Sequence, residues 1–241
     1  MTEFFRSFKN ELEHDSFRRI FTTIMNSVKS SNPTTRSNAI ALSDVLLQRT
    51  EDPINEEHSL NEIINPVKSG KSVGPEHRLA LYSILRMIRP SAIVSASIVE
   101  NAPPLLVKES SDAVVQQLAK ATAPHLVFVL RNDDGLPSSF GNTLLREMQG
   151  TKAALRRSLV CLVGSVLFRC SEEDVRTNAL RDFARTTVPV FEAHLKAVAA
   201  NPLGGSISPL EGYVVLASLL GPIGRGCDFG TFFSSCLITL L

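Results

Sequence analysis

The amino-acid sequence predicts an all-α fold, a solenoid of stacked antiparallel helix pairs, on three observations. A breaker, a short polar turn and a helix with a broad apolar face return about every 40 residues: at Asn32-Pro33-Thr34, Gly74-Pro75-Glu76, Ser110-Ser111-Asp112, Gly150-Thr151-Lys152 and Ser208-Pro209-Leu210. Between breakers the apolar residues step by three and four, as on one face of a helix. Most of the 13 prolines fall between the helical stretches. Period and helix-pair content together are those of HEAT and armadillo arrays, which wind into right-handed superhelices. The chain is read as one segment of a larger solenoid, with approximate units 1–31, 32–73, 74–109, 110–149, 150–206 and 207–241.

Each element has its own warrant. Residues 2–30 are helical by the spacing of Phe5, Phe8, Leu12, Ile20, Ile24 and Val28, with a break near His14-Asp15-Ser16 where Ser16 could cap a second helix. Pro33 suits the first position of the next helix, where its missing N–H is not needed; Ala39, Leu42, Val45, Leu46 and Leu47 form its apolar face. The acidic run of Glu51, Asp52, Glu56, Glu57 and Glu62 is expected on a loop and a solvent-facing first turn, where negative charge suits the helix dipole. Leu81, Ile84, Leu85 and Ile88 share one face of a helix over 75–89, with Arg78, Arg86 and Arg89 elsewhere on its circumference and Pro90 ending it. The β-branched run 93–99 reads as helix, since a lone strand would leave its amides unpaired; Pro103-Pro104 is expected to break it. A helix over 112–130 has a kink or restart at Pro124, and 131–137 is a loop. A short helix over 139–148 precedes a strongly periodic one at 151–168, through Leu155, Leu159, Leu162 and Val166. The helix over 172–199 has a cap at Ser171 with Asp174 three residues on. Gly204-Gly205-Ser206 reads as a hinge-like loop before helices at 208–220 and 229–241. The apolar ending through Cys236 to Leu241 lacks the polar outer face of a terminal repeat, so the chain reads as a piece of a longer array.

Composition narrows the function. With 44% hydrophobic and 20% charged residues the chain is globular, and with 6% aromatics and no Trp it has few anchors for a small-molecule pocket. A formal charge of +1 argues against a surface that embraces nucleic acid everywhere, though it permits a local patch. Cys161, Cys170, Cys227 and Cys236 form no C-x-x-C pair and lie on apolar stretches, where a thiol packs as a small hydrophobe. The N-terminal fifteen residues have no signal-like apolar core, and no apolar run approaches a bilayer-spanning length. A cytoplasmic, membrane-free setting is the expectation.

Three motifs imitate chemistry without its context. Asp228-Phe229-Gly230 resembles the magnesium-binding triplet of protein kinases, but no Gly-rich loop, Val-Ala-Ile-Lys lysine or His-Arg-Asp loop accompanies it. Gly221-Pro222-Ile223-Gly224-Arg225-Gly226 has the glycine count of a phosphate cradle and the spacing of neither known form. Histidines 14, 58, 77, 125 and 194 are scattered, with no metal-ligand spacing. The reading is therefore not an enzyme, with no cofactor and no metal. The basic residues carry more. Lys68, Lys71, Arg78, Arg86 and Arg89 face one acid, Glu76, between 66 and 90, and Lys152, Arg156 and Arg157 open a second basic stretch. Stacking would bring equivalent helices side by side, so Arg78, Arg86, Arg89, Lys152, Arg156 and Arg157 are the candidate contacts to RNA phosphates or an acidic protein. Against this, first-turn arginines such as Arg78 often snorkel over a neighbouring repeat and pair with an Asp, which would make them structural.

Gly74-Pro75-Glu76-His77-Arg78-Leu79-Ala80-Leu81-Tyr82-Ser83-Ile84-Leu85, Pro103-Pro104-Leu105-Leu106-Val107-Lys108-Glu109, His125 to Asp133, and Lys152 to Arg157 with Gly164-Ser165-Val166 resemble the N-terminal part of the very large HEAT-repeat translational activator of the general control pathway. The resemblance is best over about 65–170. It implies a scaffold that sits on the ribosome, acts with an ATP-binding-cassette partner, and binds the kinase of the initiation factor 2 alpha subunit in amino-acid starvation. It also implies that the segment for the kinase lies outside this stretch, so that a monomeric fragment touching the ribosome, through ribosomal RNA or a ribosomal protein, is expected. The alternative is a protein-only adaptor of the transport or phosphatase-scaffold kind, without RNA contact.

Overall fold

The computed structural model describes residues 12–48, 52–69, 73–132, 138–170 and 177–200. All regular structure among them is helical: α1 (His14–Val28), α2 (Pro33–Leu47), α3 (Pro53–Lys68), α4 (Pro75–Leu85), α5 (Ala92–Lys108), α6 (Asp112–Arg131), α7 (Ser138–Met148), α8 (Ala153–Arg169) and α9 (Asn178–Ala200). Consecutive helices pair antiparallel. Beyond that pairing, α1, α3, α5, α7 and α9 touch in succession, and so do α2, α4, α6 and α8. Two layers of parallel helices therefore run along the array, and the core lies between them, as in a solenoid.

Local chemistry sets the helix starts. Asn32 Oδ1 accepts the N–H of Thr34 at 2.9 Å and of Thr35 at 3.4 Å, and Asp52 Oδ1 accepts that of Ile54 at 2.8 Å. Pro33, Pro53 and Pro75 each take the first turn of their helices, where no donor is lost. The expected faces are buried: Ala39, Val45, Leu46 and Leu47 on α2, Leu81, Ile84 and Leu85 on α4, and Leu155, Leu159, Leu162 and Val166 on α8. Leu42 is half-buried at the margin of the core.

The structure departs from expectation in several places. The helix start falls at His14, with Glu13 before it making no side-chain cap, and Ser16 lies inside the helix. Asn55 and Glu56 are buried, not solvent-facing, because the first turn of α3 presses on the start of α1. His14 stands 3.0 Å from the Asp52 carboxylate and 3.2 Å from Asn55 Oδ1 there. Helix α4 ends at Leu85, and Met87 and Ile88 donate to carbonyls three residues back, so Arg86 sits in a tightened turn and Arg89 just beyond it. Helix α5 does not break at Pro103-Pro104, nor α6 at Pro124. Buried Val99, Ala102, Pro103 and Leu106 hold α5 on both sides of its prolines. In α6 the carbonyl that Pro124 deprives of a donor is that of Lys120, an exposed residue. Helix α6 is also long and apolar enough to cross a membrane by length and composition, contrary to the expectation that no such stretch exists. It is mostly buried because α4, α5, α8 and α9 all pack on it. The proposed cap at Ser171, the glycine hinge at 204–206 and the helices expected at 208–220 and 229–241 lie outside the described residues, as do the Asp-Phe-Gly and Gly-rich motifs.

Candidate interaction surface

The candidate arginines divide into two kinds by their position on the even-numbered helices. Arg36, Arg78 and Arg156 occupy the same place, the fourth residue of α2, α4 and α8. Each folds back over the turn before its own helix. Arg36 Nη1 donates to the carbonyls of Ser30 at 2.8 Å and Ser31 at 3.1 Å, and Arg156 Nη1 to that of Gly150 at 3.0 Å. Arg78 Nη1 donates likewise to Val73. Two of them also reach farther along the chain: Arg36 pairs with Glu76 of α4, and Arg78 grips Glu109, just after α5, with Nε at 2.7 Å and Nη2 at 2.8 Å. Such a two-pronged fit is the strong form of the ion pair.

Glu109 is part of the same staple. Its Oε1 also accepts the N–H groups of Ser110 at 2.9 Å and Ser111 at 3.0 Å. Burial works to raise its pKa; the Arg78 bonds and the two serine amides outweigh it and hold the carboxyl below its ordinary value. Arg156 is only 4% exposed. Arg78 and Arg156 thus lie inward, and Arg78 does what the snorkelling argument anticipated, with a glutamate as partner. Lys152 and Arg89 are exposed but also bridge repeats: Lys152 Nζ lies 3.4 Å from the Val107 carbonyl, and Arg89 Nη2 donates to the Gln48 carbonyl at 2.9 Å.

Arg86 and Arg157 are different. Both are exposed and both line a groove of about 820 Å³ that runs between α6 and α8. Its walls follow from helical spacing: Asp112, Ala113, Gln116, Lys120 and Ala123 form one stripe on α6, and Ala154, Arg157, Ser158, Cys161 and Ser165 form one on α8. Among the described residues Lys120 and Arg169 complete a rim of four basic side chains against one acid, Asp112. Among the described residues none of the four forms an ion pair. The floor is built of small, largely apolar side chains and, among the described residues, carries no aromatic ring. Sequence reasoning passed over Lys120 and left Arg169 out of the candidate set. The usable signal was the outward stripe on α6, which becomes visible only once 112–131 is drawn as one unbroken helix. Cys161 is exposed on that floor, not packed as a hydrophobe, whereas Cys170 is buried.

A second hollow, near the turns before α2 and α4, mixes Lys29 and Arg36 with Glu62 and Glu76 around His77. Burial first, then the charges of Lys29 and Arg36, lower the His77 pKa. With both signs of charge present, it selects no class of partner. Among the described residues no three His, Cys, Asp or Glu side chains are grouped so as to hold a metal ion.

No curated protein and no solved structure matches the chain. The family model described as general control nonderepressible 1 (Gcn1) N-terminal matches residues 75–232, more than half of its length. That span begins at the first residue of α4 and takes in both walls of the groove. An all-α solenoid whose surfaces, not its interior, carry the recognisable chemistry accords with a scaffold, and by that match the chain belongs to the Gcn1 N-terminal family.

Proposed function

We propose that this chain is a ribosome-associated segment of a scaffold that helps activate the kinase of the initiation factor 2 alpha subunit during amino-acid starvation. Family membership supports the scaffold role. The observation that carries the ribosomal contact is the basic rim of the α6–α8 groove, where Arg86, Lys120, Arg157 and Arg169 stand exposed without acidic partners among the described residues. Of the six candidate residues, Arg86 and Arg157 make the contact in this reading. Lys152 and Arg89 flank it, Arg78 ties α4 to the turn after α5, and Arg156 holds the turn before its own helix. The ATP-binding-cassette partner and the kinase engage the whole scaffold, in the cytoplasm, with this segment as a ribosomal foothold.

Ribosome pelleting with the purified chain at low and moderate salt tests the reading. Wild type should co-sediment, and Arg86→Glu with Arg157→Glu should reduce co-sedimentation several-fold while circular dichroism stays unchanged. Arg89→Glu is the poorer choice, since it also removes the bond to the Gln48 carbonyl. If phosphates are the partners, the double variant should show a shallower salt dependence. Equal co-sedimentation of two well-folded proteins removes the pair from the contact, and none by either favours a protein-only adaptor.

A further inference from the structure

We infer that the α6–α8 groove binds an acidic amphipathic helix of a partner protein. The inference rests on the surface assigned above to the ribosomal contact and names the chemistry of what lies in it. Three properties of the groove select that occupant. Its long axis follows α6 from Asp112 to Pro124 and α8 from Ala154 to Arg169, which at 1.5 Å per residue makes a trough of roughly 20 Å. That length matches about four turns of a third helix. Its floor is built from side chains no larger than Ala, Ser, Cys and Pro for most of its length, so another backbone can approach closely and bury a stripe of apolar residues. Its rim supplies cations at both ends and along both walls: Arg86 and Lys120 on the α4–α6 side, Arg157 and Arg169 on the α8 side. An occupant with an apolar face and glutamates flanking it satisfies both floor and rim.

A single-stranded RNA would satisfy the rim alone. Sequence-tolerant binding of RNA draws much of its strength from bases stacked on aromatic side chains, and among the described residues no Phe, Tyr or Trp lines the groove. Asp112, the one acid among the described lining residues, sits at the N-terminal end of α6. There it would repel a phosphate chain running the length of the trough, while a helix can place a neutral or basic residue opposite it.

Fluorescence anisotropy with the whole 241-residue chain tests this. The probe is a labelled peptide of about 16 residues, long enough to fill the trough, with Leu and Ala at three- and four-residue steps and Glu on the flanks. A scrambled peptide of the same composition and an oligouridylate of similar length serve as comparisons. The ordered peptide should bind roughly tenfold or more tightly than the scrambled one. Lys120→Glu with Arg157→Glu should weaken it by a similar factor, and Arg18→Glu, on an exposed face of α1 remote in sequence from the groove, should not. Ala113→Trp, an exposed position whose new side chain would fill the trough, should abolish binding without changing the helical signal. The inference is overturned if the scrambled peptide binds equally, if Arg18→Glu is as damaging as the groove pair, or if oligouridylate binds more tightly than the ordered peptide. Failure of the peptide alongside ribosome co-sedimentation that depends on Arg86 and Arg157 would sink the helix while leaving the ribosomal contact. Peptide binding without co-sedimentation would do the reverse.

Discussion

Among the described residues, four of the buried polar side chains have a local solution. Ser43, Ser59, Thr122 and Thr187 are buried hydroxyls that donate to the carbonyl four residues back, at 2.9, 2.8, 2.8 and 2.7 Å. Small groups of this kind let neighbouring helices close without stranding a donor. His125 is the exposed flank of that strategy in energetic terms. It is fully buried in α6, 3.1 Å from Ser95 Oγ of α5. Burial pushes its pKa down to about 4 despite the Leu85 carbonyl, which works the other way. Above pH 6.5 the ring is neutral folded or unfolded and has no effect on the pH dependence. As pH falls from 6.5 towards 4 the unfolded chain takes up a proton that the folded chain refuses. Stability should then drop by about 1.4 kcal/mol per pH unit, up to on the order of 3 kcal/mol. Urea unfolding at pH 7 and pH 5 checks this: wild type should lose more stability over that interval than His125→Gln. His77, also lowered, adds to the slope in both proteins. Equal slopes would mean that His125 opens to water.

Helix α5 shows how packing overrides a local rule. Two consecutive prolines remove two N–H donors and crowd the preceding turn, a penalty of about 3 kcal/mol or more for even one in a helix interior. The helix nonetheless runs unbroken from Ala92 to Lys108, because Pro103 is buried in the core beside Ala102 and Leu106. Pro104 is exposed and contributes little to that packing. Pro104→Ala should therefore restore a donor and a helix former at no cost in burial, raising stability by roughly 1–3 kcal/mol. A higher midpoint in thermal or urea unfolding checks this. The same change at Pro103 should gain less or lose, since it exchanges buried ring atoms for a smaller side chain.

Among the described residues, long-range side-chain bonds join elements that lie roughly one repeat length apart along the chain. Arg36 to Glu76 spans 40 residues, Arg78 to Glu109 spans 31, Gln117 to Ser83 spans 34, and His194 to Met148 spans 46. Stability in such an array is close to a sum of neighbour-by-neighbour terms. Leu159 provides the test. It is 2% exposed and meets Pro103, Leu106, Phe140, Leu144 and Leu155 where α5, α7 and α8 converge. Leu159→Ala should cost on the order of 2–5 kcal/mol through lost burial and the cavity left behind. Amide hydrogen exchange should speed up in α5 to α8 and stay unchanged in α1 and α2. Uniform loss of protection from α1 to α9 would show a single cooperative unit instead.

The helical class, the helix starts at Pro33 and Pro75 and the buried faces of α2, α4 and α8 were legible in the sequence. They depend on interactions within a few residues: an Asn side chain reaching two amides ahead, a proline at a first turn, and leucines stepping by three and four. The continuity of α5 and α6 through their prolines was not legible, because the energy that holds them comes from helices far along the chain. Of the division of the arginines only the inward role of Arg78 was anticipated. Arg78, Arg86, Arg156 and Arg157 are alike as letters, and a charge count over a window weighs them equally. Only the stacking of the helices brings Glu109, just after α5, within reach of Arg78, whereas Arg156 folds onto a carbonyl of the turn before its own helix. The same stacking leaves Arg86 and Arg157 facing each other's neighbourhood across an open trough with Lys120 and Arg169. An arginine's role is set by which acceptors lie within about 3 Å of its fork, and that distance belongs to the tertiary structure.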